Sequence, residues 1–128
     1  MSRETIGGSP KGPGGLVLPF SKAVRAGDFI FVSGQMGFGP DGTLAAGGIE
    51  PETRQALENI KAVLSQAECT LDDVVKCTAW LDDPRDFAPF NKIYGEYFGD
   101  DPPARSTVHS QLVLDAKVEV EAIAYKPR

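Results

Sequence analysis

The segment from Pro102 to Val108 presents an arginine from a stiff backbone, because two consecutive prolines stand just before Ala104 and Arg105. The guanidinium group is a planar fork that binds a carboxylate through two parallel hydrogen bonds. Arg105 is therefore a candidate anchor for a small anionic ligand. From spacing alone, however, an ordinary surface arginine at a sheet edge is the favoured interpretation.

Other polar candidates alternate along the same segment and along the last one. Alternate residues of a strand share one face, which places Arg105, Thr107 and His109 together. The same rule places Glu119 and Glu121 on one face of the final segment. If these two strands pair, acid and base would share a pocket, and a carboxylate there would act as a general base or orient a water. Alternating glutamates usually mark a solvated face, and the residues alone favour that interpretation.

The remaining reactive side chains match no familiar catalytic or metal-binding pattern. Ser33 lacks the GxSxG context of a nucleophilic serine and has no base partner nearby in sequence. His109, the single histidine, is interpreted as a polar residue at a sheet edge. Cys69 and Cys77 fit neither zinc-ligand nor CxxC spacing, so we expect reduced thiols and no metal. Reduced thiols are typical of a cytoplasmic protein, which is the location we expect.

The elements that position these candidates follow from periodicity and turn signals. The apolar spacing predicts one helix from about Glu50 to Ala67 and a second from about Arg85 to Phe98. The aromatic stripe of the second helix is interpreted as core rather than as a cofactor site. Residues 1–15, rich in Gly, Ser and Pro, are predicted to form a loop or flexible end. The predicted strands are Leu16–Phe20 at an edge, Phe29–Ser33, Val74–Leu81 with Val75, Cys77, Ala79 and Leu81 on one apolar face, Arg105–Gln111 and Val118–Tyr125.

The length of 128 residues fits one domain, in which two helices pack on one face of a mixed sheet in an α/β (α+β) arrangement. The net charge is −5 and the basic residues are scattered, which argues against a broad nucleic-acid-binding surface. No apolar run is long enough to span a membrane, and the first residues lack the apolar core of a signal peptide.

The chain contains six motifs in a distinctive order: FIFVSGQ, TRQALENIKAVL, DDVVKCTAWLDD, DFAPFNKIYGEYF, PPARSTV and VEVEAIA. Together they extend over nearly the whole chain after about residue 16. In sequence and order they resemble the RidA/YjgF/YER057c/UK114 family of reactive-intermediate deaminases. The resemblance implies a chorismate-mutase-like domain, a homotrimer with sites between subunits, and no metal or organic cofactor. It also implies hydrolysis of enamines and imines, such as 2-aminoacrylate and 2-iminopropanoate, to a 2-oxo acid and ammonia.

The resemblance also implies roles for individual residues. Arg105 matches the arginine that holds the substrate carboxylate, and Glu119 matches the acid that positions or activates the attacking water. Ser33, Gly34 and Asn91 match pocket residues of the family. Two further pocket positions depart from the pattern, with Phe20 where the family has a tyrosine and Thr107 where a cysteine is common.

Three functions stay open at this point. Imine hydrolysis is the leading hypothesis. A non-catalytic module that binds a small carboxylate, either a 2-oxo acid or a fatty acid, is the alternative that the changes at Phe20 and Thr107 motivate. A ribonuclease is the third, and the acidic charge and the absence of a histidine pair count against it.

Overall fold

The computed structural model describes residues 3–128, which form one six-stranded sheet covered on one face by two helices. The strands lie in the order β1-β2-β3-β6-β4-β5, and β4 with β5 is the one parallel pair among them. This architecture confirms the predicted mixed α/β fold. The elements are β1 Arg3–Ile6, β2 Ala23–Ala26, β3 Phe29–Met36, α1 Ile49–Gln66, β4 Val74–Leu81, α2 Phe87–Phe98, β5 Ala104–His109 and β6 Val118–Tyr125.

Helix α1 forms where the apolar spacing predicted it. Glu50 and Glu52 lie in its first turn, where negative charge is favourable beside the positive end of the helix dipole. Leu57, Ile60 and Leu64 are fully buried against the sheet. Burial of each such side chain contributes about 1.5–3 kcal/mol, so the stripe anchors the helix to the sheet.

The two faces of the sheet differ sharply in burial. Strand β6 alternates strictly, so its even-numbered residues from Val118 to Ala124 are buried beneath the helices while its odd-numbered residues face the other side. We call that other side the open face. Phe29, Phe31 and Tyr125 lie on it and are each 41–45% exposed. Their rings contact one another, with 5.1 Å between the centroids of Phe29 and Tyr125.

The N-terminal region differs from the prediction. Arg3–Ile6 is a strand paired with β2 rather than part of a loop, whereas residues 1 and 2 lie outside the described residues. Leu16–Phe20 is not a strand, and only Val17 in it forms a bridge, to Lys11. The strand lies instead at Ala23–Ala26, because a tight turn at Gly27 folds the chain directly back onto β3. This two-residue turn fixes the register of β2 on β3, and Pro19 interrupts the earlier segment.

Several other boundaries shift by a few residues. Strand β3 continues to Met36, and β5 begins at Ala104 and ends at His109 rather than Gln111. A short 3₁₀ turn precedes α2, which begins at Phe87 rather than near Arg85. Val75 is exposed rather than on the apolar face, because an irregularity in the β4–β6 register puts Val74 inward instead. Within residues 3–128, neither helix is long and apolar enough to cross a membrane.

Candidate active site

Arg105 lies on the helix-covered side of the edge strand β5. Paired residues of adjacent strands point to the same face, and Arg105 pairs with the buried Cys77 while Thr107 pairs with the buried Ala79. His109 pairs with Leu81 in the same way. The predicted common face of Arg105, Thr107 and His109 is therefore confirmed, and that face lies under α2.

Three aromatic rings of α2 surround the Arg105 guanidinium. Its central carbon lies 4.7 Å from the ring centroid of Tyr94, 5.2 Å from that of Phe90 and 5.8 Å from that of Phe87. All three lie within the range of a cation–π interaction. Asn91 follows Phe87 by one helical turn, so it lies on the same stripe of α2. Thr107 is half-buried on the strand below.

The Tyr94 hydroxyl and the Cys77 thiol are buried beside each other next to Arg105. The Tyr94 hydroxyl is buried and has no hydrogen bond of good geometry among residues 3–128. Burial raises the pKa of Tyr94, and so does the neighbouring Cys77 thiol. Burial likewise raises the pKa of Cys77, which keeps the thiol protonated and unreactive. The predicted buried, reduced character of Cys77 fits this environment.

Glu119 lies on the open face, paired with Met36 of β3 and Trp80 of β4. The register of β3 shifts between Val32 and Gln35, and this bulge brings Gly34 against the carboxylate. A Cβ atom at position 34 would lie 2.9 Å from Glu119 Cδ and closer still to Oε2, so any residue larger than glycine would push the carboxylate out of this position. Burial raises the pKa of Glu119, and repulsion from Glu121 raises it further.

Ser33 lines a surface cleft of about 500 Å³. The Ser33 hydroxyl donates a hydrogen bond of 2.6 Å to the carbonyl oxygen of Ser21, which leaves the hydroxyl oxygen free to accept. The ring of Phe20 is half exposed and lines the same cleft. Arg3 and Ser9 also line it, and sequence reasoning missed both because their segment was predicted to be a loop.

The predicted site residues therefore fall into two sets. Asn91, Arg105 and Thr107 form the arginine set on the helix-covered side, whereas Phe20, Ser33, Gly34 and Glu119 form the glutamate set on the open side. The condition for a pocket shared within one chain, that the strands of Arg105 and Glu119 pair, is not met, because β4 lies between β5 and β6. One chain alone therefore does not bring the guanidinium and the Glu119 carboxylate together.

The aromatic stripe of α2 is only partly core. Phe90 and Tyr94 are buried as predicted, but Phe87 is 46% exposed beside Arg105. The helical spacing of these three rings, together with an arginine on strand β5, was the only sequence feature that could have indicated contact between the rings and Arg105. Without the register of β5, nothing in the sequence connected the two.

The other reactive residues take no part in either set. His109 is exposed at the end of β5, and Cys69 is buried with a pKa raised by that burial. Among residues 3–128, no three histidine, cysteine, aspartate or glutamate side chains cluster as metal ligands. In the two sets, the Arg105 guanidinium is suited to bind an anion and the Glu119 carboxylate is suited to accept a proton.

Comparison with known proteins places this geometry in a family. Residues 15–126 match the family described as Endoribonuclease L-PSP. The chain is 49% identical over 110 residues to a RutC family protein of Pyrococcus horikoshii, covering 84% of this chain and 87% of that protein. It is 40% identical over 112 residues to the human 2-iminobutanoate/2-iminopropanoate deaminase, covering 86% and 82%. The crystal structure of E. coli TdcF with bound serine superposes with a TM-score of 0.85 at 32% identity, covering 96% and 98%. The chain therefore belongs to the RidA/YjgF/YER057c/UK114 family, also described as endoribonuclease L-PSP.

Proposed function

We propose that this protein hydrolyses 2-imino acids, and the enamines that tautomerise to them, to 2-oxo acids and ammonia. The observation that carries the proposal is the environment of Arg105. Its guanidinium forms no hydrogen bond or ion pair with any of residues 3–128, so its five N–H donors are available to a ligand. A cation that is half-buried and left without a carboxylate partner is suited to bind one from a substrate.

The chemistry needs little beyond orientation and one base. Arg105 holds the substrate carboxylate through two hydrogen bonds, which fixes the adjacent C=N carbon. A water attacks that carbon while Glu119 accepts one of its protons and returns it to the imine nitrogen, which gives an amino alcohol. The hydroxyl proton of this amino alcohol then passes to the nitrogen by way of Glu119 as the C–N bond breaks, so that ammonia leaves and the C=O of the 2-oxo acid forms. The raised pKa of Glu119 makes its carboxylate a stronger base than an exposed glutamate.

The two sets of residues imply a site completed by a second copy of the chain. The aromatic patch of Phe29, Phe31 and Tyr125 on the open face is the kind of surface that association buries. We propose a homotrimer in which the arginine set of one copy faces the glutamate set of the next. The serine bound to TdcF, a small amino acid with a carboxylate, is consistent with a small 2-imino acid as the ligand here.

The direct test is release of pyruvate from 2-aminoacrylate generated in the assay by a separate lyase. We expect the wild-type protein to accelerate this release and Arg105→Ala to lower kcat/KM by about 10²-fold or more, because a bidentate charge-assisted contact is lost. Arg54→Ala is the matched control, since Arg54 pairs with Glu96 on the exposed side of the helices. Equal acceleration by wild type and Arg105→Ala would overturn the proposal.

A second candidate is a binding module that holds a 2-oxo acid without turnover. The observation that favours it is Phe20, which lines the cleft with a ring but offers no hydroxyl to a ligand or water. Phe20→Tyr discriminates the two functions. In a deaminase the added hydroxyl would raise kcat/KM by up to about fivefold, the value of one hydrogen bond. Tight 2-oxo acid binding, with no turnover in either form over several imino acids, would instead support the binding module.

The ribonuclease named in the family description has less support from the chain itself. The net charge is −5, and RNA binding depends on clustered basic residues. Cleavage of RNA by the purified protein, lost in Arg105→Ala, would establish this activity in place of deamination.

A further inference from the structure

The guanidinium of Arg105 is held by rings rather than by a carboxylate. An acidic partner would also orient the guanidinium, but it would then compete with any carboxylate ligand. Here the distances to Tyr94, Phe90 and Phe87 increase from 4.7 to 5.8 Å, so Tyr94 provides the closest ring. Aromatic faces attract the cation without occupying its N–H donors, which point outward in the guanidinium plane.

We propose that Tyr94 is the positioning residue for Arg105, and that its ring, not its hydroxyl, orients the guanidinium for carboxylate binding. This inference rests on the proposed function for its kinetic test. A free arginine side chain has many rotamers, and ordering it on binding lowers affinity. Contact between the Tyr94 ring and the guanidinium orders the Arg105 side chain in the free protein, so less conformational entropy is lost when the ligand binds.

The structure separates the role of the ring from that of the hydroxyl. The Tyr94 hydroxyl is buried beside Cys77, without a hydrogen bond among the described residues, so it gives nothing to Arg105 through hydrogen bonding. The ring also contacts the ring of Phe98, with 4.6 Å between centroids and 37° between the ring planes, which restricts its orientation. Removal of the hydroxyl should therefore leave Arg105 in place, whereas removal of the ring should not.

The test compares Tyr94→Phe with Tyr94→Leu in imine turnover and in calorimetric binding of pyruvate. We expect Tyr94→Leu to raise KM and the pyruvate Kd by about 5- to 30-fold, with kcat changed far less. Tyr94→Phe, which keeps the ring, should have a KM and a pyruvate Kd within about twofold of the wild-type values. Tyr97→Leu is the control on the same helix, because the Tyr97 hydroxyl bonds to Glu58 away from Arg105.

A measurement on the free protein covers the case in which Tyr94→Leu does not fold. The Nε–Hε proton of Arg105 should resonate upfield of that of Arg54, because ring currents act at such short range, and Tyr94→Phe should keep this shift. An Arg105 resonance at the ordinary position would overturn the inference. So would a folded Tyr94→Leu variant with unchanged pyruvate affinity. A wild-type protein that turns over no imine, but loses pyruvate affinity in Tyr94→Leu, would overturn the proposed function and keep this inference.

Discussion

Two inactive variants should restore each other when mixed. Arg105 and Glu119 lie on opposite sides of the sheet with strand β4 between their strands, and in the homotrimer that we propose each site takes its arginine and its glutamate from different copies. Arg105→Ala alone lacks the carboxylate anchor at every site. Glu119→Gln alone lacks the base at every site. A mixed assembly contains sites where an intact arginine meets an intact glutamate.

The size of the recovery follows from the arrangement. With equal amounts and random assembly, half of the copies carry an intact Arg105 and half carry an intact Glu119. A site is intact only when the first kind faces the second in the correct direction, which has a probability of about one quarter in a ring of any size. The mixture should therefore reach about 25% of wild-type activity per chain, given the symmetric assembly that we propose.

The assay is unfolding of the two variants together, refolding by dilution, and measurement of pyruvate release from 2-aminoacrylate. Each variant refolded alone and wild type refolded alone are the controls. A mixture no more active than its separate components would show that both groups act within one chain or that one of them is not needed. That result would refute the assignment of the two sets to different copies.

Three further predictions test the glutamate set and the core. Glu121→Gln should move the acid limb of the pH–rate profile to lower pH, because burial and Glu121 raise the pKa of Glu119 and the substitution removes the repulsion. Gly34→Ala should lower kcat by about 10²-fold, because its Cβ would displace the Glu119 carboxylate, and steady-state kinetics measures this. Thr53→Val should leave the free energy of unfolding unchanged or raise it by up to about 1 kcal/mol in urea denaturation, since the buried Thr53 hydroxyl has no partner among the described residues.

Each of these predictions has a clear opposite outcome. A shift of the acid limb to higher pH in Glu121→Gln would mean that Glu119 is not the titrating base. Wild-type kcat in Gly34→Ala would mean that the carboxylate position is unimportant. A Thr53→Val variant that loses more than about 1 kcal/mol would mean that the hydroxyl has a partner after all.

The elements with strong local patterns were predictable from sequence. Strand β6 alternates without interruption, and α1 has a continuous apolar stripe, so their boundaries agree closely with the prediction. Strand β1 was missed because its four residues, RETI, carry two charges and one buried position, and only pairing with β2 makes them a strand. The placement of β2 depends on the two-residue turn at Gly27, which pairs Ala23–Ala26 with β3 and which the hydrophobic pattern alone does not indicate.

The site was predictable as a set of residues but not as an arrangement. The common face of Arg105 and Thr107 follows from the period of a strand, as does that of Glu119 and Glu121. Their separation onto opposite sides follows from strand order, and strand order is a long-range property that spacing does not encode. The bulge that brings Gly34 against Glu119 is likewise visible only once β3 and β6 are paired.

The edges of the sheet have a consequence for how copies of this chain can meet. Strand β1 is only four residues long and carries Arg3 and Glu4, while β5 is preceded by Pro102 and Pro103. Short, charged or proline-flanked edges resist the addition of further strands, which is the route to fibrils. The exposed aromatic patch of Phe29, Phe31 and Tyr125 on the open face, in contrast, carries no charge or proline that would oppose association. In the homotrimer that we propose, contact between open faces closes into a ring of three copies, whereas edge-to-edge addition of strands would continue without end.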